Sequence, residues 1–112
     1  MPIEINGHVI ATDAEGYLVD PVDWDDKVAV ELARQEEVEL SEEHWKIIRF
    51  MRNFYDENKI AADARFVKKL LAGELGYGRN AGSRMAELFP YGYVKQACKI
   101  AGMKRPRAWS TG

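Results

Sequence analysis

Residues 40–58 read LSEEHWKIIRFMRNFYDEN, Leu40 to Asn58, and the rest of the fold is organised by what this stretch needs. Ser41 is placed to cap a helix, because its hydroxyl can accept a first-turn N–H. Glu42 and Glu43 follow at the positive end of the helix dipole. Trp45, Ile48, Met51 and Tyr55 recur at helical spacing, widened by Ile47 and Phe54 into a broad apolar stripe. A helix so apolar must be covered by other elements, and we expect it to be the centre of the core.

Working outward, Asn58 and Lys59 loosen the chain before a third helix, roughly 62–73, with Phe66, Val67, Leu70 and Leu71 inward. Gly73, Gly76, Gly78 and Gly82 punctuate a loop over 76–82, and Ser83 caps a short helix to about Phe89. Pro90 interrupts, and a last helix runs from about 91 to 101, closed by Gly102. On the N-terminal side, Trp24, Val28 and Leu32, with Ala29 and Ala33 beside them, predict a helix over about 24–36 with Asp23 as its cap. Asp20-Pro21 breaks the chain before it. Asn6-Gly7 between short β-prone runs predicts a two-residue hairpin within residues 3–11. Asp13–Gly16 is a turn, and Tyr17-Leu18-Val19 is expected to add a third short strand. The fold class is α+β, mostly α: an N-terminal β-hairpin packed on a bundle of about five helices. The C-terminal half is helix-turn-helix-like, and a flexible C-terminal arm follows. One domain spans 1–112, divided into a hairpin region (1–20), a helical bundle (21–102) and an arm (103–112).

Composition limits function. With 112 residues, 46% hydrophobic and 30% charged, the chain is of ordinary globular type. No apolar run reaches the length of a membrane span and no secretory pattern opens it, so no membrane partner is expected. One cysteine cannot build a disulfide framework, which makes a reducing cytoplasm the expected compartment. Cys98, His8 and His44 lie too far apart in sequence to suggest a metal site, and no cofactor is expected. The net charge of −2 conceals a partition. Residues 1–58 carry five Lys/Arg against fifteen Asp/Glu, and residues 59–112 carry eleven against three. Either the basic half faces an acidic partner or the halves neutralise each other within the fold.

The stretch Leu88–Gly112, LFPYGYVKQACKIAGMKRPRAWSTG, holds that one cysteine, then a basic, proline-containing tail. Leu88-Phe89-Pro90-Tyr91-Gly92, Lys95-Gln96-Ala97-Cys98, Ala101-Gly102 and Pro106 together resemble the C-terminal region of the DsrC/TusE family. These are sulfur-relay proteins once described as the gamma component of dissimilatory sulfite reductase. Glu15-Gly16-Tyr17-Leu18, Asp23-Trp24 and Leu40–Trp45 look like further landmarks, so the resemblance covers nearly the whole chain. It implies partners such as sulfite reductase or TusBCD/DsrEFH-like sulfurtransferase proteins and, in the TusE branch, a role in tRNA thiolation. Complete members carry a second, sulfur-carrying cysteine as the next-to-last residue, eleven positions after the first. Here Trp109 stands at that spacing, and the next-to-last residue is Thr111.

The resemblance therefore implies a partner-docking or regulatory variant in sulfur metabolism, unable to use the usual terminal-cysteine relay and without catalytic activity alone. The first alternative is sulfur transfer through Cys98. It requires an exposed thiol whose pKa Lys95 and Lys99 lower, and such a thiol could also link two monomers by a disulfide. Against it stands the reading of Cys98 as a buried, inert thiol on the packed face of its helix. The second alternative is DNA binding through Lys68, Lys69, Arg79 and Arg84. In the tail, Arg105, Arg107 and Trp109 form an expected partner-binding group: an aromatic anchor with basic flanks. His44 is accounted for by its place in a capped first turn, and His8 is expected to be exposed. The glycines at 76, 78 and 82 do not follow a strand, so a phosphate loop is not expected.

Overall fold

The computed structural model describes residues 3–5 and 7–104, the side chain of Val94 excepted. Arg105, Arg107 and Trp109, and with them the expected anchor group, lie outside the described residues.

The chain opens with β1 (Ile3–Ile5) and β2 (His8–Ile10), an antiparallel pair in register Ile3↔Ile10, Glu4↔Val9 and Ile5↔His8. Gly7 takes φ +83°, the left-handed conformation that the expected hairpin turn demands. Ile3 is buried, Ile5 and Ile10 pack against the core, and His8 is exposed. The expected third strand is reduced to one bridge, Thr12↔Leu18. The cause is the tight turn before it, where the Asp13 carboxylate accepts from the N–H groups of Glu15 and Tyr17. Tyr17 and Leu18 then plunge into the core.

A 3₁₀ turn, Pro21–Asp23, is capped by Asp20, and α1 (Asp26–Gln35) follows with Asp25 as its cap. The expected cap at Asp23 and start at Trp24 are thus corrected by about two residues. The 3₁₀ turn absorbs Asp23, and Trp24 is extended, with its indole N–H donating to the Ile100 carbonyl at 2.8 Å. Helix α2 (Glu42–Asn58) begins at Ser41 as the sequence indicates. Its buried stripe is His44, Ile47, Ile48 and Met51, whereas Trp45 and Tyr55 are only partly buried. Each fully buried aliphatic in such a stripe contributes about 1.5–3 kcal/mol.

Helix α3 (Ala64–Ala72), capped by Asp63, buries Val67 and Leu71. Phe66, expected inward, is 41% exposed and packs its ring on Phe54 at 5.0 Å instead. A 3₁₀ turn at Gly78–Asn80 leads directly into α4 (Ala81–Leu88). Ser83 therefore lies inside that helix and does not cap it. After Pro90, the segment Tyr93–Cys98 is π-helical, not α-helical as expected, and helical backbone continues through Ile100 to Gly102 at φ +76°. Met103, assigned to the arm from sequence, is buried, so the folded body extends past the expected boundary. Among the described residues no helix is long and apolar enough to cross a membrane.

Candidate functional site around Cys98

The last turn of the fold is built from Pro90 onward. Pro90 has no N–H, Gly92 takes φ +104° with its N–H donating to the Phe89 carbonyl at 2.9 Å, and the Tyr91 N–H between them needs a partner from outside the turn. Gln96 supplies the missing partner. Its side-chain oxygen accepts from the Tyr91 N–H at 3.0 Å, and its amide donates to the Glu36 carbonyl at 3.4 Å. Gln96 is itself fully buried, and these two bonds are what make that burial tolerable.

The π-helical turn places Tyr93 against Cys98. In an α-helix, residues five apart point about 140° away from each other; the wider i→i+5 turn brings them to the same side. The Tyr93 hydroxyl donates to the Ala62 carbonyl, just ahead of α3, and lies within reach of the Cys98 thiol. Cys98 is completely buried. Burial pushes its pKa up to about 12, and the Tyr93 hydroxyl opposes this only in part. Burial likewise raises the Tyr93 phenol. The expectation that Lys95 and Lys99 would depress the thiol is overturned. Lys95 is exposed, and Lys99 turns to Glu36 at 2.9 Å and lies over the Tyr17 ring. A thiol shut in this way is not presented for an intermolecular disulfide.

Neighbouring elements clamp the same turn from outside. The Arg52 guanidinium donates to the carbonyls of Ala101 and Pro21, at 3.1 and 2.9 Å, and lies over the Trp24 ring. His44 bridges α2 and α4. Its Nδ1 accepts from the Ser41 N–H at 3.0 Å and its Nε2 meets the Leu88 carbonyl at 2.7 Å, which selects the Nε2–H tautomer. His44 is thus a capping and bridging residue, as its position in the first turn implied.

Between α3 and α4 lies a groove of about 430 Å³, lined by Lys68, Met85, Ala86, Phe89, Tyr91 and Tyr93 among others. The four cations expected to form a nucleic-acid face are divided between different tasks. Arg84 is bound to Glu43 at 2.5 Å and to Glu87 at 3.2 Å, Lys68 lines the groove, and Lys69 and Arg79 are exposed. Glu43–Arg84 and Glu36–Lys99 each join the acidic half of the chain to the basic half, so part of the charge partition is consumed inside the fold. Among the described residues no three His, Cys, Asp or Glu side chains gather to hold a metal.

Tyr93 was not singled out by the sequence, and Gln96 entered only within the Lys95–Cys98 block of the family resemblance. The signal for Tyr93 was its spacing of five from Cys98, which an assumed α-helix hides.

The family model described as "DsrC like protein" matches residues 4–108. Sulfurtransferase TusE of Pectobacterium atrosepticum is 42% identical over 104 residues, covering 93% of this chain and 95% of that protein. TusE of Photorhabdus laumondii is 43% identical over 100 residues, covering 89% and 90%. Among solved structures, the oxidized gamma-subunit of the dissimilatory sulfite reductase (DsrC) from Archaeoglobus fulgidus superposes with a TM-score of 0.85 at 32% identity, and Allochromatium vinosum DsrC with 0.85 at 41%. In both cases 98% of this chain and 100% of the other are covered. With sequence and backbone agreeing from the hairpin to the Cys98 turn, the chain belongs to the DsrC-like family.

Proposed function

We propose that this protein is a component of a sulfur relay of the TusE/DsrC kind, and that Cys98 takes up and passes on sulfane sulfur when the turn around it opens. The reading is carried by the near-full-length likeness to proteins named sulfurtransferase TusE, in a chain whose single thiol is Cys98. Its partners on this reading are sulfur-relay proteins, such as sulfite reductase or TusBCD/DsrEFH-like sulfurtransferases. The step is an exchange without net oxidation. The Cys98 thiolate attacks the outer sulfur of a donor persulfide R–S–SH, the donor S–S bond breaks, R–S⁻ leaves, and Cys98–S–SH forms. With its pKa near 12, the closed thiol is ionised in about one molecule in 10⁵ at pH 7, so transfer requires the turn to open.

One observation favours a second reading, in which the protein docks or regulates without carrying sulfur: the complete burial of Cys98, in a chain with Trp109 eleven residues on. Intact mass after exposure to a persulfide donor separates the two. Sulfur carriage predicts a gain of one sulfur atom, reversed by reductant and absent in Cys98→Ala. No gain, under conditions that modify a small control thiol, refutes it and leaves docking.

A further inference from the structure

Tyr93 belongs to two places at once. It lines the groove between α3 and α4, and the π-helical turn sets it on the same side as Cys98, within reach of the thiol. Its hydroxyl donates to the Ala62 carbonyl, so it also ties the π-helical turn to the start of α3, where Ala64 and Lys68 form part of the groove wall. A break in that bond loosens the turn on the side facing the groove. Cys98 has no exposure of its own, and the groove is a solvent-accessible space that reaches Tyr93, its neighbour across the π-helical turn.

We propose that Tyr93 is a gate over Cys98, and that the groove is the route by which a persulfide-bearing side chain of a partner reaches the thiol. The groove suits that occupant. Its volume of about 430 Å³ admits a side chain and the backbone beside it, Met85 and Phe89 offer polarisable apolar walls to sulfur, and Lys68 brings positive charge to an anionic persulfide. Tyr93 is a positioning residue, since it acts through the thiol and not on the sulfur. The inference rests on the reading of Cys98 as the sulfur-handling thiol, but its test does not use sulfane sulfur.

The test is the rate at which dithiodipyridine, an uncharged disulfide, labels the native full chain, in which Cys98 is the only thiol. Tyr93→Phe keeps the ring and removes the latch. Labelling should rise about fivefold or more, the factor associated with one lost hydrogen bond. Ile48→Val, a core change of similar cost on α2, controls for global loosening and should label several-fold more slowly than Tyr93→Phe. Ala86→Trp adds an indole at an exposed position of the groove wall, and in the Tyr93→Phe background should return the rate toward that of the parent. Equal rates in Tyr93→Phe and Ile48→Val would overturn the gate. A rate unmoved by Ala86→Trp would overturn the route. A gated thiol that gains no sulfur from a persulfide donor would instead count against the proposed function alone.

Discussion

Gly102 ends the last helix at φ +76°, and its α-carbon faces Trp24 so closely that an added Cβ would lie 2.7 Å from the indole Cγ and 2.8 Å from the Trp24 Cβ. Gly76 has nearly the same backbone, φ +78°, with nothing within 4 Å of the added atom. The two positions separate strain from collision. Gly76→Ala should carry only the left-handed backbone penalty, about 1 kcal/mol. Gly102→Ala carries that and a contact roughly 1 Å short of the usual carbon–carbon distance. Trp24 is not free to yield, because its N–H is bound to Ile100 and Arg52 lies over its ring. Moving it forfeits a hydrogen bond of about 1 kcal/mol and a cation–π contact of about 0.5–1 kcal/mol. The total is about 3 kcal/mol. For a chain of this length, 1 kcal/mol corresponds to about 4 °C in Tm, so losses of about 12 °C and about 4 °C are expected. Urea unfolding followed by tryptophan fluorescence gives both free energies. If the two substitutions cost the same within about 0.5 kcal/mol, the packing argument at Gly102 is wrong.

Two further perturbations probe the α2 N-terminus. The Glu43 carboxyl is held down to about 2, first by its hydrogen bond from Arg84 and then by that from Tyr77, against an ordinary value of 4.5. A depressed folded pKa gives stability that is complete above the unfolded value and lost as pH falls from about 4.5 through about 2. The parent's Tm should therefore fall across that window more steeply than that of Glu43→Gln, and parallel curves would refute the assignment. Ser41→Ala removes the capping hydroxyl and its contact with His44 Nδ1, and should lower stability by about 1 kcal/mol while Ser41→Thr retains most of it. Thermal melts of the two variants side by side check this.

The central helix was legible because its signals agree: Ser41 caps it, acids follow, and apolar residues recur to Met51. The hairpin was legible because Asn-Gly has few other uses. Where local signals competed, boundaries moved. Asp20, Asp23 and Asp25 are all capable caps, and Pro21 together with the long-range bond of Trp24 to Ile100 decided among them. Phe66 fits the apolar period of α3, yet Phe54 offers it a partner at the surface. Ser83 resembles a cap, but the 3₁₀ turn at Gly78–Asn80 had already started the helix. The Cys98 site was legible in its residue and not in its state. Both the buried thiol and the reactive one fit the sequence, and what decides between them is a π-helical turn that periodicity does not distinguish from an α-helix. The resemblance of the C-terminal stretch led to the family where composition alone would not have.

The ties on the Cys98 turn also bear on the order in which the molecule assembles. Tyr93 to Ala62 closes 31 residues, Arg52 to Ala101 closes 49, Gln96 and Lys99 to Glu36 close 60 and 63, and Trp24 to Ile100 closes 76. Each doubling of such a loop adds about 0.6 kcal/mol of closure entropy, so contacts between sequence neighbours such as α3 and α4 form first. The turn that holds the thiol is therefore expected to close after those local contacts have formed. By the same accounting, the thiol is uncovered in partial openings that leave the central helices in place.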